Sequence, residues 1–217
     1  MHVPPVYEAL ERRQIRHVME RYPLATLATN GPAVPFATHL PVIFAPHDDV
    51  IADELAGASM FGHMNRENSH WSSLFDSMSA KLVFSGPHGY VSPTVYDTVP
   101  AAPTWNFVAV HIEGTLCPIT SFEETLYVVR STVAAFERTF GDGWQMEESL
   151  DYFRTIGPAV GAFRFEVRSV EAMFKLSQEK DIGTQRRVAD RFDVETGCAH
   201  ELASLMREFT LPVDHDA

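Results

Sequence analysis

The sequence predicts an α+β, mainly β fold: a small barrel of short strands with helices set between them, in preference to a doubly wound parallel sheet. Two observations carry this. Short apolar runs bounded by Gly, Pro and Asn recur along the chain, and the run 106–119 alternates strictly, with Val108, Val110, Ile112 and Leu116 on one face. Between such runs lie amphipathic stretches of helical period.

Residues 7–21 place Leu10, Ile15, Val18 and Met19 near helical spacing, and Pro23 closes that helix. A short strand follows over 24–29, then a turn at Asn30-Gly31-Pro32. A second strand is expected over 33–45, with Pro35 and Pro41 requiring an edge or bulges. Residues 46–49 read as a polar turn, and 51–56 fit either strand or helix. A strand over 59–64 leads to a helix over 68–78 that carries Trp71, Leu74, Phe75 and Met78 on one side. A strand over 80–85 is expected to end where Gly86-Pro87 turns the chain, with Tyr90-Val91 briefly extended. The proline-rich stretch 94–104 is a loop of the length that often carries function. The second face of the strand at 106–119 holds Phe107, Ala109, His111, Glu113 and Thr115, a mixture that suits a site, a subunit interface or solvent. Ser121-Phe122-Glu123-Glu124 is a capping box opening a helix that Gly141-Asp142-Gly143 closes. A short helix over 147–155, a half-exposed strand from Phe163 toward Phe174, and helical sequence over 187–209 broken near Gly197 complete the chain.

With 217 residues, 45% apolar and 21% charged, the chain is expected to form one sizeable soluble domain, or one domain with a helical appendage. No apolar run is long enough for a membrane span, and the start Met-His-Val-Pro-Pro lacks a signal-peptide layout. Cys117 and Cys198 lie far apart with no CxxC, which favours free thiols in a reducing cytoplasm. Net charge is −12, and between Arg21 and Arg130 the only cations are Arg66 and Lys81. That half of the chain presents no broad basic face, so direct contact with duplex nucleic acid is not expected. Lys180, Arg186, Arg187 and Arg191 cluster later, as on the solvated face of a helix.

Six of the ten histidines fall between His39 and His111, inside strings that mix His with turn and apolar residues, as a polar pocket at strand ends would. Their spacing matches no zinc pattern, so no metal site is expected; Walker, GxSxG and GxGxxG motifs are also missing. A phosphate or similar anion is better served. Arg66 stands alone beside Asn65 and Asn68, just before a helix, and both helix N-termini and guanidinium groups favour phosphate. The plain alternative is an exposed Arg paired with Glu67 or Asp76. Lys81 shares a strand with Ser85 opposite Leu82 and Phe84, and reads equally as a surface lysine. Trp71, Trp105 and Tyr90 are candidates to stack on an aromatic ligand, or simply core. His111 is a candidate polar group or a hydrogen-bonded structural histidine.

At these strings the chain resembles the PaiB family, often described as FMN-binding negative transcriptional regulators. The matching residues are Pro4-Pro5, the string from Phe36 to Pro41, Gly62 to Asn68, Trp71, Phe84 to Pro93, Pro103 to His111, and Phe174 to Gln178. The resemblance covers about 3–181. It implies an FMN-binding split β-barrel with flanking helices over 1–180, a C-terminal helical extension over 181–217, and a homodimer sharing an FMN-sized pocket. It nominates Thr38, Arg66, Asn68 and Ser85 for the phosphate or ribityl chain. His63, His88, Trp105 and His111 fall on the ring or substrate side, with His63, His88 and His111 as catalytic candidates. His39 and Lys175 lie in the matched strings and join the cofactor-binding set. A flavin-dependent oxidoreductase acting on a small-molecule ligand is the implied activity. The alternatives are a negative regulator without duplex contact, or a haem-binding split-barrel enzyme with a histidine as axial ligand. The chain departs from the family pattern at Glu179, where Asn is usual, and at Thr94, where an aromatic is common.

Overall fold

The computed structural model describes residues 1–9, 11–46 and 55–211. The expectations for Leu10, for the turn at 46–49 beyond Pro46 and for 51–54 lie outside the described residues. Helix α1 (Arg12–Arg21) precedes strands β1 (Leu24–Thr29), β2 (Phe36–Phe44) and β3 (Ser59–Asn65). Then come α2 (Ser69–Ser72), β4 (Met78–Val91), β5 (Thr104–Pro118), α3 (Phe122–Phe140), α4 (Leu150–Ile156), β6 (Val160–Lys175), α5 (Ile182–Asp193) and α6 (Cys198–Phe209). The strands close a barrel in the order β1-β2-β3-β6-β5-β4. This is the small α+β barrel that the residue pattern predicts, and the split barrel that the family resemblance implies. No helix among the described residues is long and apolar enough to cross a membrane.

Local chemistry explains the elements that match expectation. β1 alternates fully, with Ala25 and Leu27 both completely buried. In β5, Val108, Val110, Ile112 and Leu116 are all at most 2% exposed, so the strict alternation does mark the core face. Ser121 Oγ accepts from the Glu124 amide at 3.4 Å, Glu123 and Glu124 occupy the first turn of α3, and the Gly141 amide closes on the Glu137 carbonyl. Gly197, at φ +69°, separates α5 from α6.

Three expectations are corrected. The N-terminal helix starts at Arg12, and Pro5–Tyr7 form a separate 3-10 turn. The helix expected over 68–78 is a single turn. Asn68 caps it, Ser77 sits at φ +59°, and Met78 already belongs to β4. The apolar residues that suggested a longer helix follow no intact ladder, because Ser, Asp and Ser near its end favour turns. Gly86-Pro87 does not turn the chain; β4 runs through it. Gly86 and Pro87 are both buried, which shifts the inside–outside alternation by one residue as a bulge does. A Cβ on Gly86 would lie 3.1 Å from Val108 Cβ, so the missing side chain serves close strand approach.

The chain divides into two compact units. One comprises 20–84 and 111–170 and holds β1, β2, β3 and α3. Its core includes Leu27, Leu82, Ile112, Phe163 and Phe165, each fully buried. Helix α3 covers Ile43, Phe61 and Ala162 through Val128. The other comprises 1–19, 85–110 and 171–217, and holds α1 to Met19, α5 and α6. Val188, Ala189, Phe192, Leu202, Ala203 and Met206 bury the facing sides of α5 and α6. Phe192 and Leu202 also pack on Gly89, where a Cβ would come within 2.7 Å of the Phe192 ring.

Candidate functional site

In the unit formed by 20–84 and 111–170, polar residues converge around a histidine that no spacing motif in the sequence marks. His70 is 1% exposed. Its Nε2 lies 2.9 Å from Thr29 Oγ1 on β1 and its Nδ1 lies 2.8 Å from Thr38 Oγ1 on β2. The Phe36 ring stacks on the imidazole at 5.1 Å and 13°. The antiparallel register explains the clamp: Thr29 pairs with Phe36 and Leu27 with Thr38, so the end of the β1–β2 hairpin offers both hydroxyls to one side chain. Asn68 ties α2 to the same point. Its Oδ1 accepts the His70 amide at 3.0 Å and its Nδ2 donates to Thr38 Oγ1 at 3.3 Å. Burial holds His70 below its ordinary pKa, so both ring nitrogens are engaged as a neutral imidazole, one donating and one accepting.

Beside this cluster stands Arg66. Its amide donates to the Ala159 carbonyl at 2.9 Å and its Nε to the Val160 carbonyl at 2.8 Å. The guanidinium lies over the Trp71 ring at 5.2 Å. Trp71 in turn lies against Gly161, where a Cβ would fall 2.4 Å from the indole. The contacts of Arg66 among the described residues use Nε and the planar face, and engage neither terminal amino group. Neither Glu67 nor Asp76 pairs with it among the described residues. His63, on β3 opposite Ala162, has a buried Nδ1 without a partner among the described residues, and burial lowers its pKa. His39 is exposed on the opposite face of β2 from Thr38, outside the cluster. His111 is half-buried on the outer face of β5.

In the other unit, Trp105 is 52% exposed, with the His88 ring at 5.9 Å and the Tyr90 ring edge-on at 5.8 Å. Ser85 is exposed on β4. Lys175 Nζ donates to Thr104 Oγ1 at 2.5 Å and lies 5.7 Å from the Tyr7 ring centre. Fully buried Asn106 donates to Ser177 Oγ at 2.8 Å. The strings around Thr104 and Lys175 therefore bind each other. Glu179 acts on Tyr7 and Tyr96, whose pKa values rise first through burial and then through this carboxylate. Asp181 caps α5, accepting the Thr184 amide at 3.0 Å.

The structure thus brings Thr38 and Asn68 together, seats Arg66 on Trp71, and gathers Trp105 with His88. Among the described residues no group of three or more His, Cys, Asp or Glu is placed to hold a metal ion. Cys117 and Cys198 are free thiols.

Comparison with known proteins gives this arrangement a family. The "Protease synthase and sporulation protein PAI 2" of Bacillus subtilis is 23% identical over 210 residues, covering 96% of this chain and 97% of that protein. The conserved hypothetical protein Rv2991 from Mycobacterium tuberculosis has a similar fold at TM-score 0.56 and 14% identity, covering 83% of this chain and 94% of that one. The FAD and heme binding protein from Mycobacterium smegmatis matches at TM-score 0.53 and 14% identity, over 78% of this chain and 73% of that chain. The family described as "Putative FMN-binding domain" matches residues 1–169, and on that match the chain belongs to the PaiB-like FMN-binding family.

Proposed function

We propose that the protein binds FMN and works as a cytoplasmic, homodimeric flavin-dependent oxidoreductase. Arg66 carries the reading. Its guanidinium is fixed by the Val160 carbonyl and the Trp71 face, with its terminal amino groups directed to nothing among the described residues. A planar donor held this way suits a phosphate monoester, for which guanidinium geometry gives two parallel hydrogen bonds. Thr38 and Asn68, held by His70, would contribute hydroxyl and amide groups to the same end of the ligand. In the same unit His63 and His111 are assigned to the ring or substrate; Ser85, Lys175, His88 and Trp105, in the other unit, are nominated by the family resemblance alone. The flavin, when bound, supplies the electron chemistry, and these residues bind and orient it. The family description supports a flavin ligand.

Haem is the second reading, favoured by one atom: His63 Nδ1, buried and without a partner among the described residues. The Mycobacterium smegmatis structure of similar fold is that of a FAD and heme binding protein. A regulatory role is the alternative to an enzyme, and a net charge of −12 argues that it would not act by direct duplex contact. The absorption spectrum of the purified protein, before and after adding FMN, tests the proposal. A flavin spectrum, or saturable FMN binding that Arg66→Ala weakens, supports it. A haem spectrum with no FMN binding overturns it.

A further inference from the structure

A second basic feature of the unit formed by 20–84 and 111–170 meets the His70 cluster only at Thr29 and does not involve Arg66. Thr29, Asn30, Ser79, Lys81, Glu113 and Arg168 line an open groove. The register makes it: Ala28 pairs with Lys81, so the end of β1 runs beside the start of β4, where Ser79 and Lys81 face outward. Glu113 is outward on β5 and Arg168 outward on β6.

The charges in this groove do not cancel. Lys81 Nζ is 3.0 Å from a Glu113 carboxylate oxygen. Arg168 has only neutral partners among the described residues, donating to Ser79 Oγ at 3.1 Å and to the Gly114 carbonyl at 3.3 Å. Arg168 faces the groove that it shares with Lys81 and has no carboxylate partner among the described residues. The two hydrogen bonds fix one amino group of the guanidinium and leave the rest of the fork available. The Lys81–Glu113 pair is half exposed, so it is weak and readily exchanged. The Ser79 hydroxyl and the Asn30 amide add uncharged donors. An entering oxyanion would find one uncompensated cation and a second that it can draw away from Glu113.

We propose that this groove is a binding site for a small oxyanion, a phosphate group or its equivalent on a substrate, held by Arg168 and Lys81, with Glu113 as its internal competitor. The site uses none of the flavin candidates and stands independently of the flavin reading.

The test is titration of the full-length protein with inorganic phosphate at constant ionic strength against chloride, read by calorimetry and by amide NMR shifts. Saturable binding should shift the amides of Ser79, Lys81 and Arg168. Arg168→Ala should weaken it about tenfold and Lys81→Ala about threefold, the scale of lost charge-assisted hydrogen bonds. Glu113→Gln should tighten it about threefold, because it releases Lys81; a surface ion pair without a ligand role would show no such gain. Phosphate can also meet Arg66, so the affinity of the groove is read from the Ser79, Lys81 and Arg168 amides alone, and Arg66→Ala should leave that residue-resolved affinity unchanged. The thermal midpoint of each variant checks folding, and the gain from Glu113→Gln does not depend on the losses. Phosphate that binds no better than chloride, unchanged affinity in Glu113→Gln, or loss of the site in Arg66→Ala would overturn the proposal.

Discussion

Nδ1 of His70 lies 2.8 Å from Oγ1 of Thr38, so a fully buried imidazole orients a hydroxyl that the family resemblance nominates for ligand binding. The same ring holds Thr29 on the neighbouring strand. Replacing His70 by Ala removes both bonds, leaves the 4%-exposed Thr29 hydroxyl without its partner, and opens a cavity under Phe36. The expected cost is about 2–4 kcal/mol, from lost buried hydrogen bonds and lost packing. Thr29→Val, which removes one bond and keeps the shape, should cost about 1–2 kcal/mol. Urea unfolding of the two variants checks the order; equal costs would mean the clamp contributes little.

Burial lowers the pKa of both His63 and His70 in the folded state. The unfolded chain binds protons at these residues near the ordinary value of about 6.5. Between that value and the lower folded values the unfolded state holds more protons, so stability falls as pH falls. The contribution is complete above the unfolded value, is lost through that window, and changes no further below the folded values. Urea midpoints should therefore be flat from pH 8 to about 7 and drop from about 6.5 downward, beyond what carboxylates alone explain. His70→Gln should flatten part of that slope. An unchanged slope would assign the acid sensitivity elsewhere.

Local signals were legible, and distant ones were not. β1 and the core face of β5 follow from alternation, and α3 from the Ser121 cap, since each is decided by neighbours in sequence. Gly86-Pro87 reads as a turn because those residues usually make one. Only the approach of Val108 explains why a strand continues through them. Arg66 was legible as an isolated cation, but its fixation by Val160, 94 residues away, was not. His70 was missed for the same reason: its partners Thr29 and Thr38 are 41 and 32 residues distant, and no spacing motif announces the pairing.

Arg66 and Gly161 make a linked pair of tests for the flavin reading. Arg66→Ala is expected to weaken FMN binding ten- to a hundredfold, the scale of a charge-assisted contact of roughly 1.5–3 kcal/mol, with little change in stability because Arg66 is exposed. Gly161→Ala puts a Cβ 2.4 Å from the Trp71 indole, which has to move and take the Arg66 platform with it. It should lower both stability and FMN affinity. Fluorescence titration with FMN separates the outcomes: full affinity in Gly161→Ala with a displaced Trp71 would show that the platform does not position Arg66.

Ser177 combines two effects that oppose each other. It is fully buried, sits at φ +65°, and accepts from Asn106 Nδ2 at 2.8 Å. Asn106 Oδ1 has no partner among the described residues, so this bond is the principal polar anchor of a buried amide. Ser177→Ala loses the bond and keeps the left-handed backbone cost. Ser177→Gly loses the same bond but relieves about 1 kcal/mol of left-handed strain. Glycine ordinarily destabilises relative to alanine through unfolded-state entropy, by about 0.4–1 kcal/mol, so the two terms nearly cancel. The expected result is that both variants lose about 1–3 kcal/mol, with Ser177→Gly at least as stable as Ser177→Ala. Urea midpoints measured under one buffer decide it. An alanine variant more stable than the glycine variant by 1 kcal/mol or more would show that the positive φ at 177 carries no appreciable strain.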